Sequence, residues 1–337
     1  EYRRQRQMCI RDRTREDRMG PKLKLFTENI TADIGFFIVN IDVWYNNDRA
    51  KILEIENQIR QVLGTQGSQL LGDLFEISGL LLGRAKVNEF SLNALLNMDI
   101  ICAVELPFET ICQEPFELYL HDYDPIVNDT LGEDAPLATV LDSGVFTGNP
   151  LLRNVVVAEE DFDTTEQTAT DMNGHGTGVA GIVVYGDFNS SMEGRVFTPL
   201  VRICNGKIMH DESGNPCFRE DVRPEKLVKD AITYFYETHG CRIFNLSAGN
   251  SESLYNGGRQ FPWASMLDDL SRELDIVIIV SAGNVSTPEI NEFASRDELM
   301  KKARDQLFDP EHRLIDPATS ALSITVGSIA RSSEPAL

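Results

Sequence analysis

Three side chains in the second half of the chain stand out by type and by setting: Asp142, His175 and Asn284. Asp142 closes the apolar run Leu137 to Leu141 and precedes Ser143-Gly144. His175 lies in Asp171-Met172-Asn173-Gly174-His175-Gly176-Thr177-Gly178-Val179-Ala180-Gly181, where a polar loop turns into small, apolar residues. Asn284 follows Ser281-Ala282-Gly283, directly after the apolar stretch Ile276 to Val280. An imidazole, with an ordinary pKa of ~6.5, accepts and returns a proton near neutrality. A carboxylate can hold one imidazole tautomer, and an amide NH2 can donate to negative charge as it develops. Each residue alone has a plainer reading. Asp142 fits a turn or cap, His175 a helix start satisfied by a neighbour, and Asn284 a turn after glycine. Three such residues in order, each at the end of an element, argue instead for one constellation.

The elements that must position them alternate between strand and helix. Ala138 to Leu141, Val201 to Cys204, Cys241 to Leu246, Ile276 to Val280 and Ser323 to Ile329 read as strands. Glu225 to Thr238 groups Leu227, Val228, Ile232, Phe235 and Tyr236 on one side of a helix. Trp263 to Leu274 does the same with Met266, Leu267, Leu270 and Leu274. This alternation predicts an α/β fold, a mostly parallel sheet with helices on both faces. In such sheets the working residues sit at the carboxyl ends of strands. Asp142, Ser247 and Asn284 fall there.

These blocks resemble those of the subtilisin-like serine proteases (subtilases), in order, over Leu137 to Leu337. Asp142-Ser143-Gly144 is similar to the family's catalytic Asp block, and Gly174-His175-Gly176-Thr177 to its His block. Ser281-Ala282-Gly283-Asn284 is similar to the oxyanion-hole block, and Asn245-Leu246-Ser247-Ala248-Gly249 to the segment that pairs with substrate backbone. The resemblance implies a serine endopeptidase with Asp142 orienting His175, His175 as general base, and Asn284 donating to the oxyanion. It implies that Ser247, Ala248, Gly249, Ser281, Ala282 and Gly283 flank an extended polypeptide substrate. The family's nucleophilic Ser lies in a Gly-Thr-Ser block ahead of a helix, and this sequence holds none. Ser328 lies inside a strand pattern, and Ser332 and Ser333 lack the preceding Gly-Thr. The expectation is a chain truncated before its nucleophile and therefore inert by itself. The competing reading is a non-catalytic pseudoprotease that binds peptides.

The first half has a different pattern. Phe36 to Trp44 reads as a strand, Arg49 to Leu63 as a helix, and Leu71 to Ile77 and Leu80 to Val87 as two strands. Asn88 to Met98 reads as a helix and Ile100 to Leu106 as a last strand. That order predicts a small ferredoxin-like βαββαβ domain over residues 19–106. It resembles the subtilase prodomain, which implies an intramolecular inhibitor. Residues 107–136 read as an acidic linker and 137–337 as a catalytic domain incomplete at its C-terminus. Residues 1–18 are set aside as a non-native or disordered leader. Glu1 to Arg13 (EYRRQRQMCIRDR) has no apolar periodicity and resembles a translated sequencing adaptor.

Composition narrows the alternatives. The chain has 337 residues and a formal net charge of −22, a poor match for phosphate backbones. No apolar run approaches the roughly 20 residues that span a bilayer. Six scattered cysteines form no CxxC pair and suggest a reducing compartment, so a cytoplasmic location is expected ahead of a secreted one. The histidines lack HExxH spacing, and calcium, common in the family, has no ligand loop here; no cofactor is expected. Gly176 to Gly181 also fits GxGxxG, but the polar lead-in from Thr168 to Asn173 lacks the strand that a dinucleotide site requires.

Overall fold

The structure, a computed structural model, describes residues 13–29, 35–64, 67–108, 125–128, 131–132, 134–284, 300–301, 304–305 and 308–327. Most of the 107–136 segment and the serines at 328, 332 and 333 lie outside the described residues. The chain forms two compact units, one of Glu1–Phe108 with Phe218–Leu227, the other of Glu109–Cys217 with Val228–Leu337.

In the first unit, helices α1 (Arg15–Arg18) and α2 (Pro21–Asn29) precede strand β1 (Phe37–Trp44). The buried Arg18 donates from Nη1 to the Leu96 carbonyl at 2.7 Å, so a leader boundary at residue 18 falls inside a packed stretch. Along β1 every second residue is buried. Val39, Ile41 and Val43 face the core, the period-2 pattern of a sheet with one covered face. A 3₁₀ turn at Arg49–Lys51 leads into α3 (Ile52–Leu63), whose Ile59 and Leu63 are buried. Strands β2 (Gln69–Ile77) and β3 (Leu80–Val87) follow, then α4 (Glu89–Leu96) and β4 (Ile101–Glu105). Asn88 caps α4, its Oδ1 accepting from the Ser91 amide at 2.9 Å while Ser91 Oγ accepts from the Asn88 amide at 3.0 Å. This fixes the helix start one residue later than periodicity alone indicates. The sheet runs β2-β3-β1-β4, each neighbour antiparallel. Leu23, Ile59, Leu63, Leu92 and Leu95 pack with β1 in one core, each buried side chain contributing about 1.5–3 kcal/mol.

In the second unit the short β5 (Ile126–Val127) precedes β6 (Leu137–Asp142) and β7 (Val156–Asp161). Helices α5 (His175–Tyr185) and α6 (Phe188–Gly194) follow, then β8 (Val196–Phe197), β9 (Arg202–Lys207), and the hairpin β10 (His210–Glu212) and β11 (Asn215–Cys217). Next come α7 (Pro224–His239, in this unit from Val228 on), β12 (Ile243–Leu246), β13 (Asn250–Leu254) and α8 (Pro262–Leu274). The last strands are β14 (Val277–Ser281), β15 (Ile315–Asp316) and β16 (Ile324–Val326). Six strands form one sheet in the order β16-β14-β12-β6-β9-β7, and every neighbouring pair is parallel. Parallel pairing puts all six carboxyl ends on one edge, where the fold concentrates its functional loops. Helix α5 lies against β6 and β9, and α8 against β14. The core under the edge is apolar: Val140, Val145, Leu152, Val155, Ala180, Val184, Phe197 and Ile203.

Candidate active site

Strand β6 lies between β12 and β9, and its side chains from Ala138 to Asp142 are buried. The apolar run carries the carboxylate inward as far as the sheet edge. Asp142 Oδ1 accepts from the Ser143 amide at 2.8 Å and meets His175 Nδ1 at 2.6 Å. Asp142 Oδ2 is buried with no hydrogen-bond partner among the described residues. The Asp142 side chain is wholly shielded from solvent, whereas that of His175 is 25% exposed. One ring edge is therefore anchored in the protein and the other faces outward.

His175 is the first residue of α5, after Gly174 in a left-handed conformation at φ 97°. The helix approaches the end of β6 very closely. A Cβ at Gly176 would stand 2.2 Å from the Gly144 carbonyl oxygen and 3.1 Å from Asp142 Cβ. Glycine is therefore required at 176 for the imidazole to reach the carboxylate. The hydrogen bond to Asp142 raises the His175 pKa above its ordinary value of 6.5. Burial opposes the rise, and the charges of Asp142 and Asp171 add to it. A carboxylate-held imidazole with one accessible nitrogen is equipped to take a proton from a nucleophile and return it to a leaving group.

The flanking segments follow from the same topology. Ser247-Ala248-Gly249 leaves the end of β12, and Ser281-Ala282-Gly283 the end of β14. The two strands are adjacent, with Leu246 opposite Val280. Ser247 Oγ donates to Asn245 Oδ1 at 3.2 Å, and Ala248 is buried. The Ala282 amide donates to the Val326 carbonyl at 2.9 Å, so it continues the ladder to β16. Asn284 is exposed on the same carboxyl edge as Asp142. The structure joins Asp142 to His175 directly; Asn284 makes no hydrogen bond to either.

Two features were not read from the sequence. Ile315, on β15, lies against both flanking segments. A Cβ at Gly249 would meet its Cδ1 at 2.8 Å, and one at Gly283 at 2.9 Å. The approach links residues 32 or more positions apart, and no local pattern signals it. Asp171 is buried and accepts hydrogen bonds from both sides of the site, from Ser143 Oγ and from the Gly174 and Thr177 amides. Its place four residues before His175 was the available signal. Among the described residues, no group of three or more His, Cys, Asp or Glu side chains is arranged to hold a metal ion. No helix of the described residues is long and apolar enough to cross a membrane.

Comparison with known proteins gives this architecture a family. The model of the subtilase family matches residues 134–336, which includes the whole parallel sheet and both partners of the Asp–His pair. The chain belongs to the subtilase family. A second model, the Y4kK central domain, matches residues 17–106. Among curated proteins, the uncharacterized protein y4bN of Sinorhizobium fredii (strain NBRC 101917 / NGR234) is 42% identical over 105 residues. That match covers 31% of this chain and 23% of y4bN, so the chain spans under a quarter of that relative. Among solved structures, the prenylagaramide maturation protease PagA is 20% identical, with a TM-score of 0.35, over 60% of this chain and 56% of that one. MycP1 with its N-terminal propeptide removed is 20% identical, with a TM-score of 0.34, over 60% and 59%.

Proposed function

We propose that this chain belongs to a serine endopeptidase in which Asp142 and His175 form a triad with a nucleophilic Ser. The observation that carries the reading is the 2.6 Å hydrogen bond between His175 Nδ1 and Asp142 Oδ1 at the carboxyl edge of a parallel sheet. With Nδ1–H donated to Asp142, His175 Nε2 is the nitrogen that takes the proton from the Ser hydroxyl as its oxygen attacks the peptide carbonyl. The carbonyl oxygen becomes an oxyanion, to which the Asn284 amide donates. His175 then passes the proton to the leaving amine, the C–N bond breaks, and an acyl-enzyme remains for water to hydrolyse. Ser247 to Gly249 and Ser281 to Gly283 flank the extended substrate. Loss of the Ser from such a triad lowers turnover on the order of 10⁶. Casein cleavage by the complete gene product, with and without His175→Ala, tests the assignment. Activity lost in the variant supports it; equal activity in both refutes it.

On the same reading, residues 19–106 form a ferredoxin-like, prodomain-like inhibitor of the catalytic domain. Inhibition of the complete protease by the separately added segment is the expected result, and failure to bind counts against it.

A further inference from the structure

Asp171 is a buried carboxylate that the triad chemistry leaves without a task. Its oxygens accept five hydrogen bonds. Oδ1 takes them from Ser143 Oγ at 3.0 Å, the Asn173 amide at 3.0 Å and the Gly174 amide at 2.9 Å; Oδ2 takes them from the Thr177 amide at 2.9 Å and Thr177 Oγ1 at 2.6 Å. Two of these donors, Gly174 and Thr177, flank His175 at the start of α5, where amides have no partner within the helix and the dipole favours negative charge. The Ser143 donor belongs to the other partner, for Ser143 follows Asp142 in the chain. Ser143 Oγ in turn accepts from the Gly176 amide at 3.0 Å. The helix start and the strand end are thus stitched together through one carboxylate and one hydroxyl. An ordinary helix cap would satisfy the amides alone; here the same group also grips the loop that carries Asp142.

We propose that Asp171, acting with Ser143, is a positioning residue that fixes the first turn of α5 to the end of β6 and so sets His175 against Asp142. Asp171 touches no reacting atom; it acts through the backbone on both sides of the pair. The functional consequence rests on His175 being the general base, while the structural link does not, and the two are separable by experiment. Loss of this support misplaces the imidazole. In preorganised sites a misplacement of about 1 Å costs on the order of 10² in rate.

The first measurement is amide hydrogen exchange on this chain as it stands. Gly174, Gly176 and Thr177 are expected to be protected in the unaltered protein; free exchange there overturns the proposal outright. In Asp171→Asn and in the milder Ser143→Ala, exchange at Gly176 should rise about tenfold or more, the loss of a charge-assisted contact. Ser143→Ala decides the matter if Asp171→Asn does not fold, and unchanged exchange in the folded variants contradicts it. The second measurement uses the complete protease. Asp171→Asn should lower kcat on the order of 10² with KM within about twofold. It should also move the acid limb of the kcat/KM profile to lower pH, since Asp171 charge no longer favours the imidazolium. His175→Ala is the control. If that variant keeps its activity, the base assignment fails while the exchange data still judge the link. If it is inactive and Asp171→Asn keeps both kcat and pH profile, the positioning role is wrong.

Discussion

Two buried ion pairs, one in each unit, use the same physics to opposite ends. In the first unit Arg223 is held by Glu225 Oε1 at 2.6 Å, Glu225 Oε2 at 3.2 Å and Asp42 Oδ1 at 2.7 Å, with the Ile41 carbonyl at 3.3 Å. Burial alone would depress the Arg223 pKa, but the Glu225 and Asp42 charges outweigh it and hold it above the ordinary arginine value. Burial likewise works against the Glu225 carboxylate, and Arg223 overcomes it, keeping its pKa low. Nearby Arg84 donates to the carbonyls of Arg219 and Glu220, both at 2.8 Å; burial, then Arg223, brings its pKa down to about 10. In the second unit the Asp142 carboxylate has one oxygen engaged twice and the other without a partner among the described residues, while its histidine is a quarter exposed. A cluster with its forks filled is a lock, because removing any member strands a buried charge. A pair with an open edge and an uncommitted oxygen keeps capacity for a proton to move.

The contrast can be broken at either end. The largest effect is expected from Asp142→Asn in the complete protease. An amide there favours the wrong imidazole tautomer, and kcat should fall on the order of 10⁴. A loss below tenfold would remove Asp142 from the mechanism. Next is Arg223→Met, which leaves the buried Glu225 and the half-buried Asp42 without this cation. Urea unfolding should show a loss of about 3–5 kcal/mol, and a loss under ~1 kcal/mol would make the cluster no lock at all. Third is Gly283→Ala. The position has φ 109°, and the new Cβ would stand 2.9 Å from Ile315 Cδ1. A cost of about 1–3 kcal/mol is expected, with partial recovery in the Ile315→Val background, where the Cδ1 is gone. If the two substitutions add without coupling, Ile315 is not the neighbour that matters.

The smallest effect is a pH dependence. The folded His175 pKa is raised above its unfolded value of ~6.5, chiefly by the hydrogen bond to Asp142. Its contribution to stability is therefore fully present below pH ~6.5 and lost as pH rises through the folded value. Compared with Asp142→Asn, the unaltered protein should lose more stability across that window. Parallel stability curves for the two proteins would contradict the assigned cause.

Much of this was legible in the sequence because apolar periodicity and ordered turn residues are local signals. Strands β1, β3, β12 and β14 and helices α7 and α8 fall within two residues of their expected bounds. Strand β9 shows where such signals stop. It was expected over Val201 to Cys204 and runs over Arg202–Lys207. Its last residues include Asn205 and Lys207, polar and buried. Asn205 Nδ2 donates to the Ala169 carbonyl at 2.9 Å, and Lys207 Nζ to Glu166 Oε2 at 2.6 Å and the Thr170 carbonyl at 2.7 Å. Polar residues read as loop until their partners, some 40 positions away, are known. Edge strand β7 escaped for a related reason, since its VVAEED sequence ends in acids. The inclusion of Phe218–Leu227 in the first unit is also non-local, resting on Arg223 and Asp42 across 181 positions.

The most direct test of the central claim is the His175 imidazole observed by NMR on this polypeptide, titrated alongside Asp142→Asn. The account predicts a hydrogen-bonded, low-field Nδ1 proton and a midpoint above the ordinary histidine value, both lost in the variant. An imidazole that titrates at its ordinary value in both proteins, with no protected ring proton, would contradict it.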